Sequence, residues 1–335
     1  MVRWACSPGR CGVGLVVLAL TTGVGCDQRF GCAGGATRVS GPGPAARGRA
    51  PVRLERSPPD AHDQVALGAL VRRIEPLHER LGRPSPGDWL WEHDEPGQTF
   101  EQYRRASPPP VAGVLYLQPL GALDEAERRM VLLAADYLER FFGLQVEVED
   151  ALPLSVVPTE ARRTHPSEGG RQLLTSQLMT DILRPRLPEG GAAMLGFTTE
   201  DLWPGDGYNF VFGQASLHDR VGIWSIHRAG DPHLGGEAFR TTLRRMLKTA
   251  VHEATHMFAA EHCTAYACVM NGSNSLEESD ARPLWLCPEC LAKVLWVTGQ
   301  EPAQRYFRLA DFARRHQLER EEAFFSRSME ATEPR

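Results

Sequence analysis

The sequence predicts an α/β (α+β) chain: a mixed β-sheet layer above, one long central helix, and a small helical, cysteine-bearing part below, with a cleft between. Three observations predict it. Short apolar runs that read as strands alternate with helical periodicities through the middle of the chain. A long amphipathic pattern over Ala238–Ala260 follows, with Phe239, Leu243, Leu247 and Val251 as its buried stripe. Beyond it come irregular loops holding four cysteines, then helical stretches at Cys290–Val297 and Pro302–His316.

The elements follow in chain order. Arg3 and Arg10 precede an apolar run, Val13 to Leu20, and small residues lead to Gly25-Cys26. That is the order of a secretory leader, with an apolar core too short to span a membrane. Residues 1–26 are therefore expected to be a signal peptide or a lipoprotein leader with the lipid on Cys26. The protein is expected to be exported, periplasmic or membrane-anchored; an over-extended start before a cytoplasmic protein is the alternative. Residues 27–60, rich in Gly, Pro, Arg, Ala and Ser, read as a flexible linker. A helical extension is expected over 61–111, its helix spanning Ala61–Leu81. Within it Trp89 and Trp91 are expected to bury against the domain.

A catalytic domain is expected over 112–320 and a tail over 321–335. "GVLYLQPLG" (113–121) is a short apolar run between glycines, as in a buried strand. Asp124 caps a helix through Phe142. "LQVEVED" (144–150) alternates as a half-buried strand does. A helix over about Gln172–Leu183 comes next, then a strand in "MLGFTTEDLW" (194–203). Two more strands follow in "YNFVFGQASL" (208–217) and "VGIWSIHR" (221–228).

Charged residues make up 24% of the chain and the net charge is −5, with arginines interleaved among acids. That pattern reads as a solvated surface and gives no footprint for nucleic acid.

The chemistry is concentrated in "HEATHMFAAEHC" (252–263). On a helix His252 and His256 stand one turn apart and face the same way, while Glu253 is offset from them. Zn²⁺ at a catalytic site takes three protein ligands and keeps one position for water. His262 supplies the third ligand if the helix stops near Met257–Ala260 and the chain reverses. The metal would bring its water to a pKa of about 7, and Glu253 would take the proton. Where glycine is usual, Ala259 stands, so a left-handed residue there carries a strain of about 1–2 kcal/mol.

Of eight cysteines, Cys6, Cys11, Cys26 and Cys32 lie in or near the leader. Cys263 and Cys268 form a C-x4-C pair, and Cys287 and Cys290 form "CPEC". Two such pairs make a four-cysteine structural zinc site. Two local disulfides or a redox-active Cys287–Cys290 pair are the other readings. Met270 precedes the turn "NGSN", where packing is the usual role of a methionine and a floor beneath a metal is the special one.

The pattern His-Glu-x-x-His-x5-His-Cys-x4-Cys-x-Met-x16-Cys-x-x-Cys resembles the archaemetzincin family (archaelysin, peptidase M54). The resemblance covers roughly 112–315. It implies a metzincin-like fold, with a catalytic zinc on His252, His256 and His262, a second zinc on Cys263, Cys268, Cys287 and Cys290, and Met270 in a Met-turn. It also implies that 221–228 is the rim strand along which a peptide lies. The expected function is a zinc-dependent peptidase acting on peptide or protein substrates, as a monomer. A catalytically inactive zinc-stabilised binding protein is the alternative, disfavoured by the retained Glu253. His218, His227 and His233 are expected to be exposed or capping residues.

Overall fold

The computed structural model describes residues 61–333. The leader, Cys26 and the linker to residue 60 lie outside the described residues. Helix α1 (Ala61–Ile74) ends before Leu81, closing in a tight turn at Glu75–Leu77 where Pro76 has no N–H to continue it. Two short helices, α2 (Trp89–Glu92) and α3 (Phe100–Arg105), punctuate the chain that follows.

Strand β1 (Val114–Leu120) is buried at every position, as its unbroken apolar run requires of a strand covered on both faces. Helix α4 (Glu125–Phe142) starts where expected. Asp124 accepts from the Glu127 N–H, the Glu127 carboxylate accepts from the Asp124 N–H, and Gly143 closes the helix at φ 67°. Strand β2 (Gln145–Val148) follows. After β3 (Arg162–Thr164) comes a difference from the sequence expectation: Arg171–Leu174 is strand β4, and the helical run begins only at α5 (Thr175–Gln177) and its π-turn Leu178–Leu183. The Gln172 amide is fully buried and donates to Asp201 Oδ2 (2.7 Å) and the Asn209 carbonyl (2.8 Å). Partners that distant leave no local periodicity to read.

Strands β5 (Ala193–Thr198), β6 (Asp201–Trp203), β7 (Gly213–Ala215) and β8 (Val221–Ser225) complete a mixed sheet of order β2-β1-β5-β8-β7 and a small second sheet β3-β4-β6. In the larger sheet β1, β2, β5 and β8 run parallel, and β7 alone is antiparallel. The segment 221–228 is therefore not the rim. Its strand is buried at every residue between β5 and β7, and the edge is the three-residue β7. "VGIWS" carries no alternation, so it needs cover on both faces; β7 is only half-buried.

Helix α6 (Gly236–His256) packs beneath this edge and against α4, with Leu243, Met246, Leu247, Ala250, Val251 and Ala254 fully buried. Helices α7 (Leu276–Ala281), α8 (Pro288–Thr298), α9 (Pro302–Arg315) and α10 (Glu319–Thr332) form the lower part. The residues expected as a tail from 321 are thus mostly helix. Phe324 and Phe325 are buried there, and Trp285 stacks on Phe324 at 3.9 Å. A charged run around two phenylalanines disguises this helix in sequence. The extension 61–111 packs against this lower part. Arg73 donates to the Ala331 and Thr332 carbonyls, and α1 packs on α8 and α10.

Candidate metal centre

The C-terminus of α6 sets the site. Ala259 has φ +65°; its N–H donates to the His256 carbonyl (2.9 Å), and the Ala260 N–H reaches the Thr255 carbonyl (3.4 Å). This is the left-handed helix stop that glycine usually makes, here made by alanine. It turns the Ala260 carbonyl back onto His256, whose Nδ1 donates to it at 2.6 Å. His252 Nδ1 donates to the Val269 carbonyl at 2.8 Å. Carbonyls only accept, so both imidazoles carry their proton on Nδ1 and present bare Nε2 lone pairs.

Those two Nε2 atoms lie 3.0 Å apart. Two lone pairs at that distance repel unless a cation stands between them. Burial pushes His252 down to about 3 and His256 well below its ordinary value, so a proton is a poor bridge. A divalent ion fits the donor set. The chain reversal brings His262 to the same point, and one ring nitrogen of each histidine lies within 4.8 Å of the others.

His262 is held from an unexpected quarter. Its Nδ1 donates to both carboxylate oxygens of Glu95 (2.9 and 3.0 Å), on the chain between α2 and α3. Trp89 stands edge-on to the His262 ring at 5.2 Å, Gln98 donates to the Ala259 carbonyl, and the Tyr103 hydroxyl donates to the Phe258 carbonyl. Gly272 leaves room for Trp89, since a Cβ there would meet the indole at 2.4 Å. The expectation that both tryptophans bury is half right: Trp89 packs at the site, and Trp91 is 59% exposed. Sequence reading misses Glu95 and Gln98, and the place of Trp89 beside His262, because nothing local marks them.

Glu253 faces an open cleft of about 840 Å³ bordered by α6, β7, the loop before β7, the chain around Trp89–Gly97 and residues 269–274. Edge strand β7 crosses directly above it. A Cβ at Gly213 would stand 2.7 Å from Glu253 Cγ and Oε1, so only glycine allows this approach. Burial alone pushes the Glu253 carboxyl up to about 8; a neighbouring dication acts in the opposite direction.

The four cysteines form a second, closed cluster. Their sulfurs lie within 4.8 Å of one another, all buried, and all four thiols are free. Main-chain N–H groups point at them: Met270 and Cys287 donate to Cys268 Sγ (3.4 and 3.2 Å), and Cys290 donates to Cys287 Sγ (3.4 Å). Burial pushes the Cys268 thiol well up, and a cation beside the sulfur would favour its thiolate. Asn271 ties the loop by donating to the Cys263 and Tyr266 carbonyls and accepting from the Cys268 N–H. Met270 is fully buried in this turn, its carbonyl accepting from Cys263 N. His218, His227 and His233 lie at the surface, His233 between Asp124 and Asp231.

Comparison with known proteins gives a consistent picture. A model of Peptidase family M54 matches residues 188–295. Archaemetzincin-2 of Homo sapiens is 34% identical over 285 residues, covering 74% of this chain and 78% of that protein. Archaemetzincin of Thermococcus kodakarensis is 30% identical over 186 residues, covering 54% of this chain and 95% of its own. The crystal structure of archaemetzincin from Archaeoglobus fulgidus is 29% identical, covers 54% of this chain and 99% of that one, and superposes with a TM-score of 0.43.

Proposed function

The chain belongs to the archaemetzincin family of zinc metallopeptidases, peptidase family M54, and we propose that it hydrolyses peptide bonds at the three-histidine site with Glu253 as general base. One observation carries this reading. All three histidines are fixed through Nδ1, two of them by carbonyls, and the resulting lone pairs of His252 and His256 meet at 3.0 Å beside Glu253. A zinc ion held there supplies a Lewis acid and a water with a pKa of about 7.

The protein's own groups do the rest. Glu253 takes a proton from the attacking water and returns it to the leaving amine. Glu95 keeps the His262 ring in one tautomer and one orientation. Edge strand β7 offers its free main-chain groups to an extended peptide. The cysteine set would hold a second, structural zinc that pins the loop bearing His262, with Met270 buried in the turn that follows.

Digestion of a peptide library by wild type and Glu253→Ala, with zinc determined on both, tests the reading. Two zincs in each protein are expected, with cleavage by wild type only and a loss of about 10³-fold or more. Cleavage that survives in the variant overturns the general-base role. A single, cysteine-held zinc overturns the histidine site. Two zincs without cleavage would return the protein to the inactive binding class. Export and a lipid on Cys26 form a separate proposal, read by fatty-acid analogue labelling of wild type against Cys26→Ser.

A further inference from the structure

Of 37 basic residues only Lys248 and Lys293 are lysines; all others are arginine. Both are buried, and Lys248 lies on α6 one turn before His252, in the wall of the cleft. A lysine ammonium is a compact point charge with three donors, unlike the planar guanidinium of the other basic residues. Its Nζ donates to the Ser279 carbonyl at 2.7 Å, which occupies one of three N–H groups.

Nearby carboxylates are already engaged. Asp280 is held by Arg245 at 2.5–3.1 Å, and Glu321 by Arg244 at 3.2 Å. Burial accordingly pushes Lys248 down to about 8. Arg282 lines the same wall, and its main-chain N–H shares the Ser279 carbonyl at 3.0 Å. Its Nε is buried without a partner. Its Nη2 makes only a loose ion pair, 3.8 Å from Oε1 of Glu278, and that carboxylate already accepts from the Trp89 and Asn274 N–H groups. Among the three acids of the lining, Glu95 is taken by His262, Glu253 lies beneath β7, and Glu261 is exposed to solvent.

We propose that Lys248 and Arg282 form a carboxylate-accepting subsite that selects substrates with an acidic group beside the bond that is cut. Two cations with spare donors, set in a partly desolvated wall, favour a bound anion and penalise a neutral isostere that leaves them unpaired. The anion is either an Asp or Glu side chain or the C-terminal carboxylate of a short peptide. This rests on the peptidase reading, and the experiment separates the two.

Cleavage is measured with matched peptides: Glu against Gln beside the scissile bond with both ends blocked, and a Gln peptide whose free C-terminus lies at that position. Wild type should prefer one carboxylate source by about tenfold in kcat/KM over the blocked Gln peptide. The preferred peptide names the source. Lys248→Met and Arg282→Met should each pull the ratio towards one, and Lys248→Glu should turn the preference to Lys or Arg. Zinc content and Tm of each variant show that the fold survives. Wild-type cleavage with no carboxylate preference, or a preference unchanged in all three variants, overturns the subsite while leaving the peptidase reading intact. Absence of any wild-type cleavage overturns both.

Discussion

The two candidate metal-binding clusters meet at consecutive residues, His262 and Cys263, yet they are built on opposite plans. The cysteine set is closed: every sulfur is buried, and its supporting donors are main-chain N–H groups of Met270, Cys287 and Cys290, close to the cysteines in the chain. The histidine set is half-buried, opens onto the cleft, and draws its supports from a helix stop, from residue 269 and from Glu95 far earlier in the chain. A site that must admit a substrate cannot surround its own ligands. Its rigidity has to come from further away, and each distant support is a separate point of failure.

This contrast can be broken from either side. The largest effect should come from Cys287→Ser. Cys287 caps α8 by accepting from Cys290, and serine keeps that cap, so the variant isolates the sulfur's contribution to metal binding. A structural zinc contributes about 10 kcal/mol or more. Loss of both zincs and of cooperative unfolding is expected by metal analysis and calorimetry. A variant that keeps the histidine-bound zinc would show that the two clusters are independent.

Gly213→Ala comes next. A methyl group 2.7 Å from the Glu253 carboxylate displaces the carboxylate while leaving the histidines alone. A fall in kcat of about 10²-fold, with both zincs retained, is the expected signature. Glu95→Ala should weaken zinc at the open site by about 10- to 100-fold in a chelator competition, with the cysteine-bound zinc unmoved. Equal weakening of both would mean that Glu95 serves the fold and not one ligand. The smallest effect belongs to Ala259→Gly. Relief of the left-handed conformation at φ +65° should stabilise by about 1 kcal/mol, a rise of about 2 °C in Tm, without changing zinc content.

Acid should act on a third region. Asp201 is buried beneath Arg228, which donates to it at 2.7 and 2.9 Å. Burial alone would raise the Asp201 pKa, but this pairing and the Gln172 amide together hold it below the ordinary value. A carboxylate depressed in the folded state stabilises above its unfolded pKa of about 3.9 and loses that contribution as pH falls through the folded value. Asp201→Asn should therefore flatten the acid limb of a stability–pH curve below about pH 4.

Legibility follows distance along the chain. The α4 cap, the helical pair His252 and His256, and the two cysteine pairs are all set within one or two turns, and they stand where the spacing puts them. Ala259 was legible too: the offset of His262 demanded a reversal, and φ +65° is that reversal. The family resemblance implies a rim strand at 221–228, an apolar run. That run is apolar because it lies inside the sheet, and three half-buried residues at 213–215 hold the edge. The helix at Glu319–Thr332 was hidden because its buried phenylalanines sit among charges that face outward.

By itself, then, the sequence determined the ligand types, their helical spacing, the helix stop and the family, since each depends on short-range geometry or on a dense local pattern. Only the tertiary structure decided that Glu95 clasps His262, that Gly213 clears Glu253, and that Lys248 and Arg282 share one wall of the cleft. Those contacts join residues from about 30 to 170 positions apart, and no local periodicity or propensity encodes which distant side chain will fill a given space.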